Sequence, residues 1–224
     1  QVLFDKLDGQ PCVLNIGGIS NISPLRGRLG GFDVGPGNCL MDEWYATHHT
    51  EHGANRFDAS GAWAASGKVD DALLVSLLND PYFSLEPPKS TGREYFNQAW
   101  LSPHLEQTNR DITNQDVQAT LAEFTAISIA DCISKSLPNV SHVPVCGGGR
   151  LNTHLLQRLE RALHARGHSQ CVVEPTEYWG IDGDAVEAAA FAWLAYRRHY
   201  LLPGNMTEVT GAHGPRVLGA IYPG

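Results

Sequence analysis

Three stretches of this sequence set reactive groups beside glycine. In Gly31-Phe32-Asp33-Val34-Gly35-Pro36-Gly37-Asn38 a lone carboxylate, Asp33, precedes Gly-Pro-Gly. Glycine reaches backbone angles closed to other residues, and proline fixes φ near about −65°. A carboxylate at such a place is either a turn-former that bonds backbone amides or a general base, if it reaches the proton it must take. The other two stretches are Asn15-Ile16-Gly17-Gly18-Ile19-Ser20-Asn21 and Cys146-Gly147-Gly148-Gly149-Arg150-Leu151-Asn152. Glycines let backbone N–H groups close on an anion, and a following helix start adds a favourable dipole. Each is, taken singly, equally an ordinary tight turn. Two of them together with the Asp33 segment point to a cleft that handles phosphoryl groups.

Other residues carry weaker signals. Glu187 opens an otherwise apolar run, Val186 to Leu194. It is either an acid favourably placed at a helix start or one that needs a partner or ligand because burial is costly. Lys89 to Arg93 would hold an anion or cap a turn. His48, His49 and His52 have helical spacing, but no cysteine completes a metal site, so a solvated helix face is expected. The sequence lacks Gly-x-x-x-x-Gly-Lys-Ser/Thr, which excludes a P-loop. Residue 152 is Asn, which breaks Gly-x-Gly-x-x-Gly. No Gly-x-Ser-x-Gly elbow of an α/β-hydrolase occurs.

The elements that must position these groups alternate between strand and helix. Strands are expected over 11–16 and 19–23, as a hairpin about Gly17-Gly18, then over 28–32 into a turn at Asp33, with further strands over 141–146, 171–174 and 217–222. Helices are expected over 42–52, with Leu40, Met41 and Trp44 sharing a face, and over 70–79, 116–137, 152–166 and 184–200. The last, rich in alanine, suits close packing. Residues 81–97 form a long Pro-rich connection, and long ordered loops are often functional. The pattern is α/β.

Composition narrows the class. The chain has 224 residues, 42% hydrophobic, with net charge −8 and sixteen Lys plus Arg. That supports a sizeable core and offers no basic stripe for nucleic acid. No apolar run is long enough to span a membrane. Five scattered cysteines without a Cys-x-x-Cys fit reduced thiols in the cytoplasm, with Cys12 and Cys146 as small core hydrophobes. The first residue is Gln rather than Met, so nothing upstream is excluded.

Together these residues resemble one family, the anhydro-N-acetylmuramic acid kinases. The resemblance runs through 13–21, 31–38, Pro88-Lys89-Ser90-Thr91-Gly92-Arg93-Glu94, 146–149, 187–194 and Leu202-Pro203-Gly204-Asn205, hence nearly the whole chain. It implies two α/β lobes of the sugar kinase, heat-shock chaperone and actin type with ATP between them. Residues 1–224 would be the C-terminal part: mainly one actin-like ATPase lobe, a mixed sheet flanked by helices, with parts of the substrate cleft. The implied reaction uses ATP and Mg²⁺ to phosphorylate 1,6-anhydro-N-acetylmuramic acid at O6 while water opens the anhydro ring, giving N-acetylmuramic acid 6-phosphate for cell-wall recycling in the bacterial cytoplasm.

Residue by residue, the resemblance implies that Asp33 activates that water and that Glu187 and Asn38 contact the sugar. It implies that Asn15, Gly17 and Gly18 form a phosphate-binding hairpin, and that Gly147, Gly148, Gly149 and Asn152 lie on the nucleoside side. No residue is implied as a direct metal ligand, since Asn15 stands where the wider superfamily commonly has Asp. The implied partners are the sugar and ATP, with a homodimer at full length. The family's Gly-Thr-x-x-Ser-Gly-Thr-Ser-type phosphate loop is not in this sequence, so the chain alone is expected to be inactive. Two rival readings are another sugar or acetate kinase of the superfamily, and a lobe that binds nucleotide or sugar without turnover.

Overall fold

The computed structural model describes residues 8–26, 30–51, 56–108 and 111–222. Strand β1, Cys12–Ile16, alternates: Cys12, Leu14 and Ile16 are fully buried, while Val13 and Asn15 face the other way, the period-2 habit of a pleated strand. Gly17 and Gly18 turn the chain into β2, Ile19–Pro24, which pairs antiparallel with β1 from Cys12↔Pro24 to Ile16↔Ser20. The expected hairpin is present.

β3, Phe32–Pro36, pairs antiparallel with β2. Its sequence leads one to expect a turn at Asp33, but the strand runs on through Gly35 and Pro36. A bulge opposite Ser20 and Asn21, with Gly35 at φ 153°, lets the Gly-Pro pair stay in the ladder. β3 is also the outermost strand, where proline is tolerated. The turn comes at Gly37, and helix α1, Cys39–His48, follows with Leu40 and Met41 buried. It starts and stops earlier than the expected 42–52, and His52 and part of the 28–32 run lie outside the described residues.

Three helices come next: α2 (Ala62–Ser66), α3 (Asp71–Leu78) and α4 (Gln98–Gln107). Only α3 has an evident apolar spacing. It is capped by Asp70, whose side chain accepts from Leu73 N at 2.9 Å. Helix α5, Asn114–Ser136, is capped by Thr113 and buries residues on several faces, including Phe124, Ile129 and Ile133. It packs on α1, α2, α3 and α6 and against β3, and so forms the centre of the core.

β4 (His142–Cys146) lies parallel to β1, and β5 (Val172–Pro175) parallel to β4, with amphipathic α6 (Thr153–Ala165) between them in sequence. The sheet order is β3-β2-β1-β4-β5. Pro144 has no N–H to give, and the β1–β4 ladder is interrupted between the Pro11–His142 bridge and the Leu14–Val145 pair. One sheet face is packed by α5 and its neighbours. The other carries a small cluster, Leu25 with Val13, Trp179 and Ile181.

Helix α7, Val186–His199, forms where expected but buries no residue; Phe191 is 70% and Tyr196 55% exposed. Its alanines do not pack closely against any described element, which corrects the close-packing expectation. After α8 (Thr207–Thr210) the 217–222 run is not a strand. Gly219, at φ 79°, interrupts the extended backbone, and β propensity without a ladder partner does not make a strand.

Candidate active site

Asp33 is fixed at four points by one segment. Its N–H donates to the Lys89 carbonyl at 3.2 Å, and its carbonyl accepts from Tyr82 Oη at 2.8 Å. Its carboxylate Oδ2 accepts from Ser90 Oγ at 2.8 Å and from Thr91 N at 3.0 Å. The other oxygen, Oδ1, has no hydrogen bond among the described residues. The anion that the Lys89-to-Arg93 stretch holds is therefore Asp33 itself. Lys89 secures the segment: its ammonium sits 4.5 Å from the centre of the Tyr82 ring and donates to the Tyr82 carbonyl at 3.2 Å. Burial lowers its pKa below the usual lysine value.

The ladder supplies a neighbour that the sequence reading passed over. Asn15 lies opposite Asn21, and Asn21 opposite Asp33. Side chains opposite one another share a face, so three polar groups line up across β1, β2 and β3. Strands lie about 4.8 Å apart, which makes the row about 10 Å long. It occupies the face that Val13 shares, away from α5. The Asn21 side chain makes no hydrogen bond among the described residues. A two-residue turn at Gly17-Gly18 would set Asn15 opposite Ser20; the observed pairing, Ile16 with Ser20, is centred on Gly18 and brings Asn21 opposite Asn15 instead.

The two glycine turns stand next to each other because β1 and β4 are parallel neighbours that end together. Gly147, at φ 77°, is pressed against the Ile16 carbonyl, 2.6 Å from where a Cβ would sit; only glycine fits there. Cys146 Sγ lies 3.8 Å from Asn15 Oδ1. The Gly17 and Gly18 carbonyls accept from Asn38 N at 2.8 Å and Gly37 N at 2.9 Å, tying the start of α1 to the hairpin. Asn38 Nδ2 reaches the Ile16 carbonyl at 3.4 Å and lies 3.8 Å from the position of a Gly148 Cβ. Asn38 thus sits at the junction of both turns.

Asn152 caps α6, its Oδ1 accepting from Leu155 N at 3.0 Å, so its side chain is already engaged. Arg150 closes the second turn. It is 5% exposed, donates to the Gly147 carbonyl at 3.1 Å, and pairs with Glu177 at 2.7 Å and Asp184 at 2.9 Å. Glu187 is exposed on the first turn of α7, and its charge bears on the Cys146 thiol. Burial pushes that thiol up to about 11 and Cys12 to about 12, so both stay protonated at neutral pH. His48 and His49 approach the Trp44 and Tyr45 carbonyls at 2.8 and 3.0 Å, and His49 stacks on Tyr45.

A fixed carboxylate on one sheet face, with glycine turns at the shared end of two parallel strands, makes this an α/β unit built on a mixed five-stranded sheet. The chain belongs to the anhydro-N-acetylmuramic acid kinase family, whose model matches residues 1–224. It is 48% identical over 222 residues to the anhydro-N-acetylmuramic acid kinase of Saccharophagus degradans, covering 98% of this chain and 57% of that protein. It is 48% identical over 227 residues to that of Cupriavidus pinatubonensis, covering 100% and 58%. The chain thus spans less than two thirds of the length of these curated relatives. Among solved structures, the activator of the 2-hydroxyisocaproyl-CoA dehydratase from Clostridium difficile with bound ADPNP aligns with 75% of this chain and 55% of its own at a TM-score of 0.47 and 11% identity.

Proposed function

We propose that this chain forms the Asp33 lobe of an ATP-dependent kinase that converts 1,6-anhydro-N-acetylmuramic acid to N-acetylmuramic acid 6-phosphate in cytoplasmic cell-wall recycling. The observation that carries the reading is the Asp33 carboxylate, held through one oxygen by Ser90 and Thr91 with the other left free. In this reading Asp33 takes a proton from water and the water oxygen bonds to the anomeric carbon. The bond from that carbon to O6 breaks, O6 takes the γ-phosphoryl group, and ADP leaves; Asp33 then returns its proton to solvent. Fixing one carboxylate oxygen while the other faces the reactants is the positioning that general-base catalysis requires.

The Gly17-Gly18 and Gly147-to-Gly149 turns, with Asn15 and Asn152, carry the nucleotide phosphates and nucleoside, while Asn38 and Glu187 serve the sugar. Mg²⁺ entering with ATP would neutralise phosphate charge, and with Asn15 rather than a carboxylate on β1, phosphates and water would hold it. The exposed apolar side chains of α7 support an assembled form, a homodimer at full length.

The test is coupled ADP release by the full-length protein with ATP, Mg²⁺ and the anhydro sugar, with the product mass measured. Sugar-dependent ADP release is expected, with a product that has gained one water and one phosphoryl group. ADP release that ignores the sugar would overturn the reading. The 224-residue chain by itself is expected to give no turnover, because stabilising the transferred group needs contacts from both lobes in a water-excluded cleft.

A further inference from the structure

Asn21 holds nothing in the fold. It is half-buried on β2, and its side-chain amide makes no hydrogen bond among the described residues. The ladder sets it opposite Asp33. Residues paired in this way share a face, with Cβ atoms about 4.5–5.5 Å apart. The bulge at Val34 adjoins the pair, and bulges re-aim the side chains beside them. The other polar groups of the site are engaged. Ser90 Oγ and Thr91 N hold Asp33 Oδ2 at 2.8 and 3.0 Å. Asn15 stands two strands from Asp33, about 10 Å away, and its Oδ1 accepts from the Cys146 thiol at 3.8 Å.

A water that attacks carbon must keep its lone pair on the carbon. One hydrogen points to the base. If the second is also held, the oxygen has one orientation left. The second acceptor must lie about 2.8 Å from the water oxygen. Two acceptors on side chains whose Cβ atoms stand about 5 Å apart can reach the same water. Asp33 Oδ1 and the Asn21 side-chain oxygen form such a pair. An amide suits the second position, because its oxygen accepts a hydrogen bond yet does not compete for the proton. A carboxylate there would set a like charge beside the base.

We propose that Asn21 is a second catalytic residue, which holds the attacking water jointly with Asp33. This rests on the kinase reading. The water lone pair bonds to the anomeric carbon while one proton passes to Asp33 Oδ1. The electron pair of the broken bond passes to O6, and O6 takes the γ-phosphoryl group of ATP. The other hydrogen stays on the new hydroxyl, bonded to the Asn21 oxygen, so Asn21 ends as it began.

The experiment measures kcat and the KM for sugar and for ATP in the full-length protein and its Asn21→Leu, Asn21→Ala and Asn21→Ser variants. Leucine keeps much of the shape without a polar atom, alanine removes the side chain, and serine keeps one short acceptor. Asn21 has no hydrogen bond to lose, so the variants should fold, and thermal melting checks it. If the alanine variant melts early, the leucine and serine variants carry the test.

The expected result is a kcat lowered about tenfold to a hundredfold with leucine and alanine alike, between the loss of one hydrogen bond and a reactant misplaced by about 1 Å. Both KM values should change little, and serine should recover part of the rate. Wild-type kcat in Asn21→Leu beside a slow Asn21→Ala would overturn the assignment, since packing alone would then explain the loss. A raised sugar KM at unchanged kcat would overturn it by giving the amide to the sugar. Unchanged kinetics in all three variants would overturn it outright. Wild-type protein whose ADP release ignores the sugar would instead refute the kinase reading itself.

Discussion

Ser90 Oγ donates to Asp33 Oδ2 at 2.8 Å across fifty-seven residues of sequence. The bond joins the outermost strand to a surface loop, and Thr91 N completes the pair. A carboxylate with one oxygen engaged in this way cannot swing freely, so its free oxygen has one direction to face.

Replacing Asp33 by Asn should keep the fold and remove turnover. The amide oxygen still accepts from Ser90 and Thr91, but the group no longer takes a proton, and loss of a general base costs about 10²–10⁴-fold. Coupled ADP release on the full-length protein checks this, and wild-type turnover in the variant would remove Asp33 from the mechanism. Ser90→Ala acts through Asp33. It should lower kcat about tenfold with little change in sugar KM, as losing one hydrogen bond to a charged group does, and Ser90→Thr should restore much of it.

Gly147→Ala should destabilise the protein more than Gly167→Ala. Both glycines have positive φ, at 77° and 93°. A Cβ at Gly147 meets Asn15 and the Ile16 backbone, whereas one at Gly167 meets nothing within 4 Å. Left-handed backbone costs about 1–2 kcal/mol for a non-glycine residue, and forced overlap in a packed site adds about 1–3 kcal/mol. Urea unfolding of both variants measures the difference. Equal losses would mean that the second turn has room to move.

Much of this framework was legible in the sequence. The β1–β2 hairpin follows from two β-rich runs about Gly17-Gly18, and α5 from a long apolar period. Helix α4 was not legible: it contains Pro103 and buries only Leu101, so it carries little periodic signal. Helix α2 is five residues long and depends on Asp58, whose carboxylate accepts from Trp63 N and Ala64 N at 2.9 Å. β3 reads as a turn because Gly35 and Pro36 are poor strand residues alone; only pairing with β2 makes them strand. Asp33 was recognisable as a reactive candidate, but not the loop that holds it, since fifty-seven residues separate the partners.

Arg150→Met should cost about 2 kcal/mol of stability, the scale of charge-assisted bonds lost from a buried group. Arg150 is the largest cause that holds Glu177 below its ordinary carboxylate pKa of 4.5. A lowered carboxylate contributes stability that is present above its unfolded pKa and lost as pH falls through the folded value. The gap between wild type and Arg150→Met should therefore shrink in acid. Denaturant titrations at neutral pH and well below pH 4.5 would show it, and a gap constant with pH would contradict the pairing.

Asp42 carries the opposite sign. Burial raises its pKa from 3.8 to about 6, with Arg93 pulling it down and Asp58 pushing it up. The folded protein then holds a proton that the unfolded chain has released, so stability falls as pH climbs from 3.8 to about 6. Asp42→Asn has no such proton to lose. It should melt higher than wild type at neutral pH and equally below pH 3.8. An advantage that persists in acid would show that charge is not its source.

The Lys89 carbonyl that accepts from Asp33 N has a second consequence. β3 ends the sheet, and a bare outer strand offers its N–H groups to any passing extended chain. Here the loop that orients the carboxylate also shields that margin. Detaching the loop would free the carboxylate and uncover a template for intermolecular strand pairing in one event. Changes that weaken the 82–91 segment should therefore show up first as fibrous or amorphous association of otherwise folded molecules.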